Sequence, residues 1–322
     1  MRTEEITVAA GDVTLSGTYS RPDGEPGPYP TALILAGSGP LDRDGNVRRL
    51  PLNLSRDLAQ TLAERGWASV RYDKRGVGAS TGDYLRTGFY DELSDAEAVL
   101  GSLVARPDVS MVVAVGHSVG ATMAAELAAR QDVLDGVVLL AATAQTGEAT
   151  LIWQASQIAP TLPALARVLL RLLRTDVLRQ QRKALDRIMA TDTDVARIQG
   201  AKVNARWMRE FIDYDPVPTL KGITVPVLAI TGSKDIQVDP DDVGSIAAIL
   251  PWAQTQAVPD VDHILRHEPG PVSDVRRYKK QAERPIDSSV ETLLLDWLQR
   301  LRQGSSLGAG ERSGTTQGQG RR

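Results

Sequence analysis

The sequence predicts a mainly parallel α/β sheet with helices on both faces, and three observations carry that prediction. Val112 to Val115 is an apolar β-branched run that breaks into Gly116-His117-Ser118-Val119-Gly120 and then into the small-residue run Ala121 to Ala129. A buried strand therefore turns abruptly into a helix through one serine. Short apolar runs alternate along the chain with amphipathic runs of helical spacing, the pattern of repeated strand-helix-strand units. Finally, 322 residues with 42% hydrophobic content can bury a substantial core, as one large domain with an insertion or as two domains.

Taken in order, Glu4 to Ala9 and Val13 to Tyr19 alternate apolar and polar residues around Ala10-Gly11-Asp12, which predicts an antiparallel hairpin at a sheet edge. Thr31 to Ala36 is a short apolar strand that runs into Gly37-Ser38-Gly39-Pro40. Glycine, serine and proline stop pairing, so this strand opens into a loop whose backbone N–H groups are free. Leu54 to Arg65 has helical spacing and stops at Gly66. Trp67 to Tyr72 is the next strand and ends in the polar turn Asp73 to Ser80. Gly76-x-Gly78 in that turn lacks the third glycine of a dinucleotide fingerprint and starts no helix, which argues against a nucleotide site. Asp91 to Leu103 is an amphipathic helix, Ser110 to Val115 the strand before the serine, and Leu134 to Ala141 another strand.

From Ala144 to about Pro216 no strand signal is evident. Leu165, Val168, Leu169, Leu172 and Leu173 recur at helical spacing with arginines between them, and Pro160 and Pro163 separate this run from the helix before it. Two readings stand: a helical lid with its apolar face to a pocket, or a basic amphipathic helix on a membrane surface. Strands return at Val225 to Thr231 and Gln254 to Val258, and Val290 to Arg302 is a final amphipathic helix. The predicted organisation is a core of residues 1–144 and 216–302, a helical lid over 145–215, and a disordered Gly-, Ser-, Thr- and Gln-rich tail over 303–322.

Composition excludes several function classes. A formal net charge of −3 with interspersed signs gives no broad field for nucleic acid or anionic membrane, so a small-molecule substrate is expected. The absence of cysteine rules out disulfides, thiolate nucleophiles and cysteine metal sites. The start Met-Arg-Thr-Glu-Glu-Ile-Thr-Val has acidic residues where a secretory signal needs an apolar core, and no run reaches membrane-spanning length. A cytoplasmic protein without a cofactor is expected, and a homo-oligomer is left open.

A serine hydroxyl is a poor nucleophile near neutral pH, so it needs an imidazole in hydrogen-bond reach and a carboxylate to fix that imidazole's tautomer. The chain has three histidines: His117 abuts the serine with its side chain directed away, leaving His263 and His267. His263 follows the last strand and the loop Pro259-Asp260-Val261-Asp262, whereas His267 lies a helical turn later, so His263 is favoured. Asp235 lies just past a strand end, at the same sheet edge as Ser118. Asp239, Asp241 and Asp242 are its rivals, but they begin the next helix, with Asp239-Pro240 as its cap. The order Ser118, Asp235, His263 is that of α/β-hydrolases. The backbone N–H groups of Val119 and Ser38 are the expected oxyanion donors.

Four motifs then resemble α/β-hydrolases of the bacterial carboxylesterase type, near the serine aminopeptidase-like hydrolases. They are Ala36-Gly37-Ser38-Gly39-Pro40 with Asp42-Arg43-Asp44-Gly45-Asn46, Arg71 to Ser80, Gly116 to Gly120, and Thr231-Gly232-Ser233-Lys234-Asp235. Phe211-Ile212-Asp213-Tyr214-Asp215-Pro216 at the end of the lid is similar to the same subgroup. The resemblance implies an α/β-hydrolase fold with a helical lid and a serine esterase acting on a small-molecule ester. Amide hydrolysis on the same three residues and a non-catalytic binding protein of the same fold are the competing readings. Two departures are evident. Ala36 stands where many relatives have histidine, and Asp262 stands where the subgroup tends to carry asparagine. Asp262 reads either as a solvated loop charge or as an extra carboxylate that raises the pKa of the base.

Overall fold

The structure is a computed structural model that describes residues 1–24, 26–163, 176–198 and 200–313. The strands among these residues are β1 (Arg2–Ala10), β2 (Val13–Arg21), β3 (Tyr29–Leu35), β4 (Ala68–Tyr72), β5 (Val109–His117), β6 (Gly136–Leu140), β7 (Val195–Ile198), β8 (Ala201–Asn204), β9 (Val227–Gly232) and β10 (Gln254–Val258). The helices described are α1 (Leu54–Ala63), α2 (Phe89–Val104), α3 (Val119–Arg130), α4 (Gly147–Ile158), α5 (Val177–Met189), α6 (Ala205–Ile212), α7 (Pro216–Gly222), α8 (Asp242–Ile249), α9 (Tyr278–Gln281) and α10 (Ser288–Ser313).

Eight strands form one sheet in the order β1-β2-β4-β3-β5-β6-β9-β10. The β1–β2 hairpin is antiparallel and caps one edge, and every pairing from β4 to β10 is parallel. Strand β5 is central and shows why its sequence is apolar throughout. Val112 and Ala114 face a core shared with α2 and α3, whereas Met111, Val113 and Val115 face a second core shared with α1 and α10. A strand covered on both faces cannot alternate with polar residues. Because all the parallel strands end at one edge, the loops after β3, β4, β5, β9 and β10 converge there.

The segment between β6 and β9 carries α4 to α7 and, contrary to the expectation of an all-helical stretch, an antiparallel hairpin. Strands β7 and β8 pair from Val195↔Asn204 to Ile198↔Ala201. Its two strands are four residues each, too short to impose a visible period-2 pattern against the flanking charges. The hairpin anchors the segment to the core: the Asn204 side-chain amide donates to the carbonyls of Tyr84 at 2.7 Å and Thr87 at 2.6 Å. On α6, Trp207 stacks on Phe211 at 5.0 Å, and both pack against Phe89 at the start of α2. Farther on, Tyr214 donates its hydroxyl to Glu126 of α3 at 2.7 Å, and Asp215 caps α7 by accepting from the Val217 N–H. The leucine-rich run from Leu165 to Leu173 lies outside the described residues.

Helix α10 continues to Ser313, past Gln303 where a disordered tail was expected. No proline lies in that stretch to interrupt the i→i−4 ladder. Among the described residues no helix is long and apolar enough to cross a membrane.

Candidate active site

Ser118 sits between β5 and α3 with φ 55° and ψ −125°, a conformation that L-residues rarely adopt. Its neighbours explain why the turn holds. A Cβ at Gly116 would come 2.0 Å from the Gly120 carbonyl oxygen, and one at Gly120 would come 2.1 Å from the Leu35 carbonyl oxygen. Only glycine lets α3 start this close to β3 and β5. Helix α3 is correspondingly small-sided and is buried nearly all round from Val119 to Ala128.

Asp235 follows β9 and is buried. Its Oδ1 accepts the N–H groups of Gln237 at 2.7 Å and Val238 at 2.9 Å, while Oδ2 lies 2.7 Å from His263 Nδ1. Since a carboxylate oxygen accepts, Nδ1 carries a proton, which leaves Nε2 as the nitrogen free to act as a base. The loop bearing His263 is held against the Asp235 loop from two sides. Backbone contact comes from the Lys234 N–H, which donates to the Val261 carbonyl at 2.9 Å. The Lys234 ammonium adds bonds to the carbonyls of Glu268 at 2.8 Å and Gly270 at 2.6 Å. His267 is exposed and its Nδ1 is 3.9 Å from Asp287. Of the rival carboxylates, Asp239 accepts from the Asp241 N–H ahead of α8, and Asp242 accepts from Thr143 and Gln145.

His117 has a part the sequence did not suggest. Its Nε2–H donates to the His263 carbonyl at 2.7 Å, with the two rings 4.8 Å apart. Burial, helped by repulsion from His263, pulls its pKa down to about 3, so it is a neutral donor that fixes the backbone of the other histidine. A histidine inside the elbow gives no sequence signal for this contact, because its partner is 146 residues away.

Asp262 corrects the reading of a solvated charge: it is fully buried. Its Oδ1 accepts the Arg266 N–H at 2.9 Å, and its Oδ2 has no hydrogen-bond partner among the described residues. Burial pushes its pKa up to about 7. The unfolded carboxyl ionises near pH 4, so between about pH 4 and 7 the folded chain holds a proton that the unfolded chain has released. Stability from this group is full below pH 4 and is lost as pH rises through 7. Asp262→Asn therefore gains stability relative to the parent on going from pH 5 to pH 8, on the order of 2 kcal/mol. Urea unfolding of both proteins at the two pH values checks this, and a constant difference would locate the cost elsewhere.

Ser38 and Val119 line a cavity of about 500 Å³ together with Ser118. Among the described residues neither backbone N–H has a hydrogen-bond partner. The walls are chiefly apolar, with Leu85, Leu151, Trp207, Met208, Phe211 and Val238. No group of His, Asp or Glu among the described residues is arranged to hold a metal ion.

A mostly parallel sheet with a serine elbow, an acid after β9 and a histidine after β10 defines the α/β-hydrolase fold. Residues 52–269 match the family described as serine aminopeptidase, S33, and the chain belongs to that family. It is 28% identical over 239 residues to esterase EstD of Thermotoga maritima, a match that covers 72% of this chain and 53% of EstD. The chain thus spans about half the length of the curated relative it matches. Among solved structures it is similar to proline iminopeptidase of Mycobacterium smegmatis, with a TM-score of 0.63, 16% identity, and coverage of 94% of this chain and 100% of the other. It is also similar to Est1E of Butyrivibrio proteoclasticus with ferulic acid bound, at a TM-score of 0.61, 18% identity, and coverage of 90% and 98%.

Proposed function

We propose that the chain is a serine carboxylic-ester hydrolase in which Ser118 is the nucleophile, His263 the base and then acid, and Asp235 the group that orients His263. The observation that carries the reading is the 2.7 Å contact of Asp235 with His263 Nδ1, at the same sheet edge as a strained serine lining an apolar cavity. In acylation, Ser118 Oγ attacks the ester carbonyl carbon while His263 Nε2 takes its proton. Negative charge on the former carbonyl oxygen is met by the N–H groups of Ser38 and Val119. The imidazolium then protonates the departing alkoxide, leaving an acyl-serine. In deacylation, water attacks the acyl carbon, His263 takes its proton and returns one to Oγ, and a carboxylate leaves. Helix α4, strand β8 and helix α6 act as a lid, lining the cavity with Leu151, Gln154, Val203, Trp207 and Phe211.

An aminopeptidase reading of the same residues meets a specific difficulty. An α-ammonium group brought into an apolar cavity needs a carboxylate partner, since an unpaired buried charge is costly. The described residues lining the cavity include no Asp or Glu, and Lys202 is their one charged side chain. The stretch 164–175 adds neither acid in its sequence. Electrostatics therefore favour uncharged acyl groups.

A graded series of p-nitrophenyl esters assayed beside amino-acyl p-nitroanilides, with fluorophosphonate labelling, tests the proposal. Ester turnover with labelling at Ser118 is the expected result. Faster amide turnover would reverse the assignment, and no turnover with no labelling would leave only a binding protein.

A further inference from the structure

Lys74 is buried on the turn after β4, and its ammonium makes two bonds. It donates to the Gly37 carbonyl at 2.7 Å and to Glu92 Oε2 at 2.9 Å. Stability alone is a weak explanation for this arrangement. A buried ion pair seldom gains more than its desolvation costs unless every lone pair is satisfied, and Glu92 Oε1 is buried without a partner among the described residues. The location of the second bond offers a better one. Gly37 and Ser38 share one peptide unit, which is planar and trans, so its C=O and N–H point in opposite directions. Fixing the carbonyl on one side fixes the N–H on the other. Gly37 also lies against the nucleophile: a Cβ built on it would be 3.3 Å from Ser118 Cβ. The loop holding it would otherwise have wide backbone freedom, since Gly37 and Gly39 flank Ser38.

We propose that Lys74 is a positioning residue for the oxyanion hole: by holding the Gly37 carbonyl, it aims the Ser38 N–H at the oxygen on which charge develops. Glu92 neutralises the ammonium and keeps it in place. This inference rests on the serine-hydrolase reading and adds to it a residue that touches no substrate. A hole donor pre-aimed by a buried charge needs no reorganisation as the tetrahedral intermediate forms, which is the condition for strong electrostatic stabilisation. Ground-state binding of the ester does not draw on that donor to the same degree, so its loss falls on kcat.

Phenyl acetate and its thionoester counterpart separate positioning from a general structural role, because the C=S sulfur is a weak acceptor that gains little from the hole. In Lys74→Met, kcat for the oxygen ester should fall at least about tenfold, a part of the 10²- to 10³-fold loss typical of deleting a donor outright. KM should stay within about twofold, and the thionoester rate should fall far less, so that the ratio of the two rates shrinks. If the lone Glu92 prevents folding, Lys74→Met with Glu92→Leu removes the stranded carboxylate and carries the same measurement. Equal losses on both substrates, or an unchanged ratio, would overturn the inference while leaving the hydrolase intact. A parent protein that turns over neither substrate and resists fluorophosphonate would instead overturn the reading beneath it.

Discussion

Replacing Ser118 with alanine should abolish ester turnover and fluorophosphonate labelling, and replacing it with glycine should do the same while making the protein more stable. The first effect is chemical: without Oγ no acyl-enzyme forms, and what survives is the modest acceleration supplied by the hole and by binding. The second effect comes from the backbone. At φ 55° and ψ −125° a side chain at position 118 is strained, by about 1 to 3 kcal/mol. Alanine keeps the Cβ and the strain, whereas glycine releases it. Glycine also gives the unfolded chain more freedom, which costs about 0.5 to 1 kcal/mol. Ser118→Gly should therefore exceed Ser118→Ala in unfolding free energy by about 0.5 to 2 kcal/mol in urea titrations. Equal stability would mean that the turn stores no strain, and residual labelling of either variant would move the nucleophile elsewhere.

That strain is also why the elbow is legible in the sequence. A turn with no room for a Cβ on either side, between a strand covered on both faces and a helix of small residues, permits few residue types at five successive positions. Asp235 and His263 were legible through their order and through strand ends, because a parallel sheet brings all such ends to one edge. Contacts made across long separations were not. Lys74 and Lys234 stand in polar turns with nothing nearby in sequence to name their partners, yet Lys74 donates its ammonium to the Gly37 carbonyl and Lys234 to those of Glu268 and Gly270. Asp262 reads as a loop charge because burial depends on what packs over the loop. The β7–β8 hairpin leaves no trace in the pattern, since its pairing spans only Val195–Ile198 and Ala201–Asn204. Helix α10 outruns its apolar pattern because backbone hydrogen bonding can continue after side-chain periodicity has ended.

Asp235→Asn should lower kcat about 10⁴-fold with the fold intact, whereas Asp262→Asn should leave kcat within the same order of magnitude. The two carboxylates flank His263, and their hydrogen bonds dictate opposite outcomes. Asp235 Oδ1 accepts two backbone N–H groups, from Gln237 and Val238, so an asparagine must keep its carbonyl oxygen there. Its amide nitrogen is then forced toward His263 Nδ1, where donor would meet donor. The imidazole can answer only by moving its proton to Nε2, and a protonated Nε2 cannot accept the proton of Ser118. At position 262 the constraint runs the other way. Oδ1 accepts from the Arg266 N–H and Oδ2 has no partner among the described residues, so an asparagine keeps the one bond and places its amide where no acceptor contact there is lost. Nitrogen-15 chemical shifts of His263 report the tautomer directly. The parent and Asp262→Asn should show the proton on Nδ1, and Asp235→Asn should show it on Nε2. A normal tautomer with collapsed activity in Asp235→Asn would mean that the aspartate acts by charge rather than by orientation. Collapsed activity in Asp262→Asn would make the second carboxylate the partner of the base.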